Sequence, residues 1–99
     1  MTDTPDMPEL TSADFAHAIP RGQRQRLIAG DFRTGKDIAD LRAFVGLTQV
    51  AFAAALGISL HTLRGWEQGR RWPEGPAIAL LRIAARHPKF IRENLTSAA

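Results

Sequence analysis

Arg64 and His61 lie three residues apart in a segment of helical period, Leu60 to Gln68. Side chains three or four positions apart on a helix stand next to one another. A guanidinium placed there can fork onto the O6/N7 edge of a guanine or pair with a phosphate. An exposed imidazole can meet either group. Arg70 and Arg71 follow directly and suit phosphate contact. The plain alternative for all four is a solvated surface. The chemistry on offer is recognition of a polyanion, not catalysis. The sequence holds no nucleophile-base-orienter set and no Gly-rich phosphate loop after a strand. His17, His61 and His87 are too dispersed for a metal site, and there is no cysteine. No catalytic residue, metal or cofactor is expected.

Charge along the chain supports that reading. Residues 1–19 contain Asp3, Asp6, Glu9 and Asp14 and no Lys or Arg, whereas the rest carries all 13 basic residues against six acids. A cationic body with an acidic tail suits a polyanion partner, or simply a solvated surface. Arg21, Arg24, Arg26 and Arg33 form a looser basic stretch that fits DNA, a partner protein or water equally. No apolar run approaches the ~20 residues that span a bilayer, and no basic, apolar leader opens the chain. A cytoplasmic, membrane-free protein is expected.

The elements that must position these residues read as helices. Thr11 or Ser12 can cap a short helix to Ile19, with Phe15 and Ile19 on one face and Pro20 as its stop. Gln23 to Ala29 forms a second, ended by Gly30. Thr34 and Asp37 have capping-box spacing. Ile38, Leu41 and Val45 then mark an amphipathic helix over Asp37–Val45. Gly46 ends it. Thr48 caps Gln49–Ala55, whose buried side is Phe52, Ala53 and Leu56. After Gly57, Ser59 caps Leu60–Gln68, with Leu63 and Trp66 inward. That leaves Leu60, His61, Arg64, Gly65 and Gln68 outside. Gly69 ends this helix. Trp72, in the basic loop that follows, either covers the loop or lies near a DNA backbone. Pro76 opens a helix to Arg86 with core face Leu80, Leu81 and Ala84, and Pro88 opens a last one through Phe90, Ile91 and Leu95. No strand pattern appears. The expectation is an all-α fold: a partly disordered extension over residues 1–33 and a five-helix domain over residues 34–95.

The stretch Leu47-Thr48-Gln49, Phe52-Ala53, Leu56-Gly57-Ile58-Ser59, Thr62-Leu63 and Trp66-Glu67-Gln68-Gly69 resembles the Cro/repressor-type (Xre-like) helix-turn-helix family. The extension Arg70-Arg71-Trp72-Pro73-Glu74-Gly75-Pro76-Ala77, with Leu80-Leu81-Arg82 and His87-Pro88, narrows the resemblance to HigA-type antitoxins and their solo relatives. The resemblance implies a lambda-repressor-like fold that docks a helix in the major groove of duplex DNA. It implies base contacts from Leu60, His61, Arg64 and Gly65. It implies phosphate contact from Gln49, and Thr48, Ser59, Thr62, Gln68, Arg70 and Arg71 are grouped with it. Leu60 offers only apolar contact and Gly65 no side chain, so base reading falls to His61 and Arg64.

Two roles follow. One is a repressor that binds an inverted repeat as a homodimer, with the C-terminal residues Leu81, Ile83, Phe90, Ile91 and Leu95 as the dimer surface or merely as core. The other, implied by the resemblance, is an antitoxin neutralising a basic RelE/HigB-like RNA-cleaving toxin. The acidic terminus with Leu10, Phe15 and Ile19 would then fold on that partner. An autoregulating antitoxin combines both roles; a solo Xre-type regulator is the alternative.

Overall fold

The computed structural model describes residues 18–97. Six helices follow one another in these residues, with no strand among them: α1 Arg21–Ile28, α2 Gly35–Val45, α3 Gln49–Leu56, α4 Leu60–Glu67, α5 Pro76–Arg86 and α6 Pro88–Ser97. Helices α2–α6 are the five expected of a lambda-repressor-like domain. The helix expected over Thr11–Ile19 falls mostly outside the described residues, and 18–20 are not helical.

Pro20 starts α1, because its φ of −55° is already helical and its carbonyl accepts the Arg24 N–H at 2.9 Å. The chain from α1 onward is not an appendage. Leu27 is fully buried, Phe32 joins the same core, and Ile19 packs half-buried against it. Helix α1 lies along α5. The cut expected between residues 33 and 34 therefore passes through packed structure.

Helix α2 is the centre of the molecule. Its i, i+3, i+7 stripe of Ile38, Leu41 and Val45 is fully buried, and it touches α4, α5 and α6. It meets α3 at 91°, a turn that Gly46 permits by adopting φ 89°. Its first residue, Gly35, is wedged against α4. A Cβ built there would lie 2.3 Å from the Glu67 carbonyl oxygen and 2.6 Å from that of Trp66. Only glycine lets the two backbones approach this closely.

The last carbonyls of four helices are capped by long side chains from elsewhere. Arg82 Nε donates to the Ile28 carbonyl (2.9 Å), Arg24 Nε to Ala85 (3.0 Å), Arg92 Nη1 to Val45 (2.6 Å) and Asn94 Nδ2 to Ala55 (2.7 Å). These carbonyls have no partner within their own helix, and cations are favoured at a helix C-terminus. The Arg92 and Asn94 bonds fasten α6 across the ends of α2 and α3.

The capping box expected of Thr34 and Asp37 does not form: Thr34 makes no side-chain cap. Asp37 is buried and faces α1. It accepts from Arg26 Nη2 (3.1 Å), Arg26 Nη1 (3.2 Å), Gln23 Nε2 (3.1 Å) and the Arg33 N–H (2.8 Å). Burial by itself would raise this carboxyl. The Arg26 guanidinium, the Arg33 N–H and the Gln23 amide outweigh it and hold the group down at about 2.

Candidate nucleic-acid interface

Helices α3 and α4 are each eight residues long and pack on each other. Their caps form as the sequence predicts. Thr48 Oγ1 accepts the Ala51 N–H at 3.1 Å, and Ser59 Oγ accepts the Thr62 N–H at 3.0 Å. The connecting turn passes through Gly57 at φ 74°, a conformation L side chains rarely adopt. Phe52 and Leu63 are fully buried, with Ala53 and Trp66 nearly so, and they set the spacing of the pair. Trp66 is thus a core residue, not a stacking platform.

With Leu63 and Trp66 locked inward, helical phase turns His61 and Arg64 outward, and both are exposed. Thr48, Ser59, Gln68, Arg70 and Arg71 are exposed too; Gln49, Thr62 and Leu60 are half-buried. All these candidates belong to one continuous unit, α3–turn–α4–loop. Gly65 departs from expectation. It is buried, because the Arg71 side chain lies over it, so it is not an open position on the outer face. Trp72 is 41% exposed in the loop beyond, with Pro73 buried beside it.

A polar network runs beneath this surface. Glu67, at the end of α4, accepts from Arg42 Nε at 2.8 Å and Arg42 Nη2 at 3.3 Å. It also accepts from Gln49 Nε2 at 3.0 Å. Gln49 Oε1 in turn accepts from Arg64 Nε at 3.3 Å. Arg42 also donates to the Leu47 carbonyl at 3.2 Å, tying α2 to the start of α3. The Glu67 side chain is only 8% exposed, so its charge is held within the protein while the Arg64 guanidinium and the His61 imidazole face out. The sequence reading missed Arg42 and Glu67 as positioning residues. They are 25 residues apart, and no local period connects them.

A short, capped helix is thus held by its apolar side, with a cationic side outward and its neighbour helix presenting an amide alongside. This is the architecture of a helix-turn-helix, and the helix-turn-helix family model matches residues 38–82. Those residues form a helix-turn-helix domain of the Cro/repressor (Xre-like) type. Over 55 residues the chain is 40% identical to the antitoxin HigA-2 of Vibrio cholerae serotype O1. The match takes in 56% of this chain and 53% of that protein, so the chain spans about half the length of this relative. No solved structure matches the chain significantly.

Proposed function

We propose that the chain binds duplex DNA as a homodimer, with α4 of each copy in the major groove of an inverted-repeat operator, and represses transcription there. One observation carries this reading: His61 and Arg64 are exposed on the side of α4 opposite its buried anchors. A helix with its side chains is the width of the major groove, where every base pair presents a distinct edge. His61 and Arg64 meet base edges, and Leu60 offers apolar contact. Thr48, Gln49, Ser59, Thr62, Gln68 and Arg70 take the phosphates, and the N-terminal N–H groups of α3 add a site for one of them.

One such domain makes few base contacts, so two on one duplex face, about 34 Å apart, supply the affinity. Among the C-terminal candidates, Leu81 and Ile91 belong to the core, and the side chain of Leu95 lies outside the described residues. Ile83 (40% exposed) and Phe90 (68% exposed) remain. They flank an open, mostly apolar groove of about 380 Å³ lined also by Ala55, Leu80 and Ile91, with Glu93 and Asn94 on its edge. We assign this groove to the second copy.

We further propose an antitoxin role, supported by the similarity to HigA-2 and by the acidic terminus. The partner is a basic RelE/HigB-like RNA-cleaving toxin, and the DNA-binding domain represses the operon encoding both. Ile19 packs on the core, so the toxin-binding segment is confined to the residues before 18, with Leu10 and Phe15, which lie outside the described residues. The working location is the bacterial cytoplasm, on the nucleoid when bound to DNA. No single helix among the described residues is long and apolar enough to cross a membrane.

A gel shift on the chain's own promoter tests the DNA reading. Arg64→Ala is expected to weaken binding by roughly 1–3 kcal/mol without unfolding the protein. Unchanged affinity removes the α4 docking. Co-purification of the adjacent gene product with and without residues 1–17 tests the antitoxin reading. Retention by the shortened chain removes the N-terminal docking. An adjacent frame that encodes no such toxin, with operator binding intact, leaves a stand-alone Xre-type regulator.

A further inference from the structure

Gly65 stands one turn beyond His61 and next to Arg64, on the stripe of α4 that phase turns outward. It is buried all the same. A Cβ built at this position would lie 2.8 Å from Arg71 Cδ, 3.1 Å from Arg71 Cγ and 3.4 Å from Arg71 Cβ. The stem of Arg71 therefore fills the space that a side chain at residue 65 would occupy. The backbone enforces this return. The Arg70 and Arg71 N–H groups both donate to the Gly65 carbonyl, at 2.9 and 3.1 Å, and turn the loop back onto the helix. Arg71 is exposed and has no carboxylate partner among the described residues. An arginine from the loop is thus laid across the recognition helix at the one outward position that has no side chain of its own.

We propose that Arg71 is a specificity-determining residue. Seated on Gly65, it completes the reading side of α4 and contacts a base edge, in place of the phosphate contact its loop position suggests. The inference rests on the reading of α4 as a major-groove helix. It gives Gly65 a function that neither exposure nor chemistry of its own could supply: glycine is the seat. A guanidinium delivered this way has the fork geometry that matches guanine.

The test is selection of binding sites from a randomised duplex library by the full-length chain and by R71A, G65A, R64A and the double variant G65A/R71A. R71A is expected to lose preference at one base pair per half-site, by about tenfold, the size of a single bidentate base contact. That base pair should differ from the one R64A relaxes. G65A keeps its helix, since alanine favours helix over glycine, but its Cβ evicts the Arg71 stem. It should reproduce the R71A selection, and the double variant should lose nothing more. Thermal melting of G65A confirms that it is folded. An R71A selection identical to wild type overturns the proposal, as does R71A weakening every sequence alike. So does a folded G65A with wild-type preference. If R64A relaxes a base pair and R71A none, the α4 reading survives and this one fails. A wild type that selects no sequence overturns both.

Discussion

Gln49 Oε1 accepts from Arg64 Nε at 3.3 Å while its amide nitrogen donates to Glu67 Oε1 at 3.0 Å. The amide has only one orientation that satisfies both neighbours, because the carboxylate can only accept and the guanidinium can only donate. A buried acid thus aims an amide, and the amide aims an exposed arginine. Positions on two different helices are set relative to one another before any ligand arrives, and that lowers the ordering cost of binding.

Gln49→Ala should therefore weaken operator binding beyond the loss of its own contact, because Arg64 is released. In a double-mutant cycle with Arg64→Ala, gel-shift affinities should be non-additive by about 0.5–3 kcal/mol. The melting temperature should move little, since Arg64 is exposed, Gln49 is only half-buried, and Glu67 keeps its Arg42 partner when the amide is lost. Strict additivity would show that the two act independently.

Glu67→Ala has a different signature. It strips the half-buried Arg42 of its carboxylate (side chain 23% exposed) and frees Gln49. Stability should fall by about 2–4 kcal/mol in urea unfolding, somewhat less than the ~3–5 kcal/mol of a fully buried pair because Arg42 keeps some water. DNA affinity should fall as well. Glu67→Gln should recover part of both.

Acid should loosen the α1–α2 contact in a defined window. The folded-state value of Asp37, about 2, lies below its ordinary 3.8. Its contribution is present above pH 4 and is lost as pH falls through about 4 to 2, where the unfolded chain binds the proton first. The difference amounts to about 2 kcal/mol. Urea midpoints measured from pH 5 to pH 2 should decline more steeply for wild type than for Asp37→Asn. Parallel curves would mean that the Arg26–Asp37 pair carries no pH-dependent stability.

The position of α1 sets where the chain can be shortened. Removal of residues 1–17 should leave cooperative melting and operator binding intact. Removal of residues 1–33 takes Leu27 and Phe32 out of the core and should abolish a cooperative transition. Leu27→Ala in the full chain should cost about 2–5 kcal/mol. A folded, DNA-binding chain starting at residue 34 would show that α1 is dispensable.

What the sequence by itself determined was local. Thr48 and Ser59 cap the helices they precede, Gly57 turns between them, and Leu63 and Trp66 face inward while His61 and Arg64 face out. Each follows from a hydroxyl three residues before an N–H, from a φ only glycine adopts easily, or from a 3.6-residue period. These rules act within one or two turns and need no knowledge of the rest of the chain.

The tertiary structure decided everything that depends on which helix lies beside which. Asp37 has the spacing of a capping box with Thr34, yet the one backbone N–H its carboxylate takes is that of Arg33, and its other bonds go to Arg26 and Gln23 of α1, because a buried charge needs a guanidinium partner that only packing against α1 supplies. Gly65 has the phase of an open position, yet Arg71 folded over it. Glu67 reached Arg42 and Gln49 only because α2, α3 and α4 converge at its end. Period tells which side of a helix is apolar; only packing brings residues 25 apart within 2.8 Å.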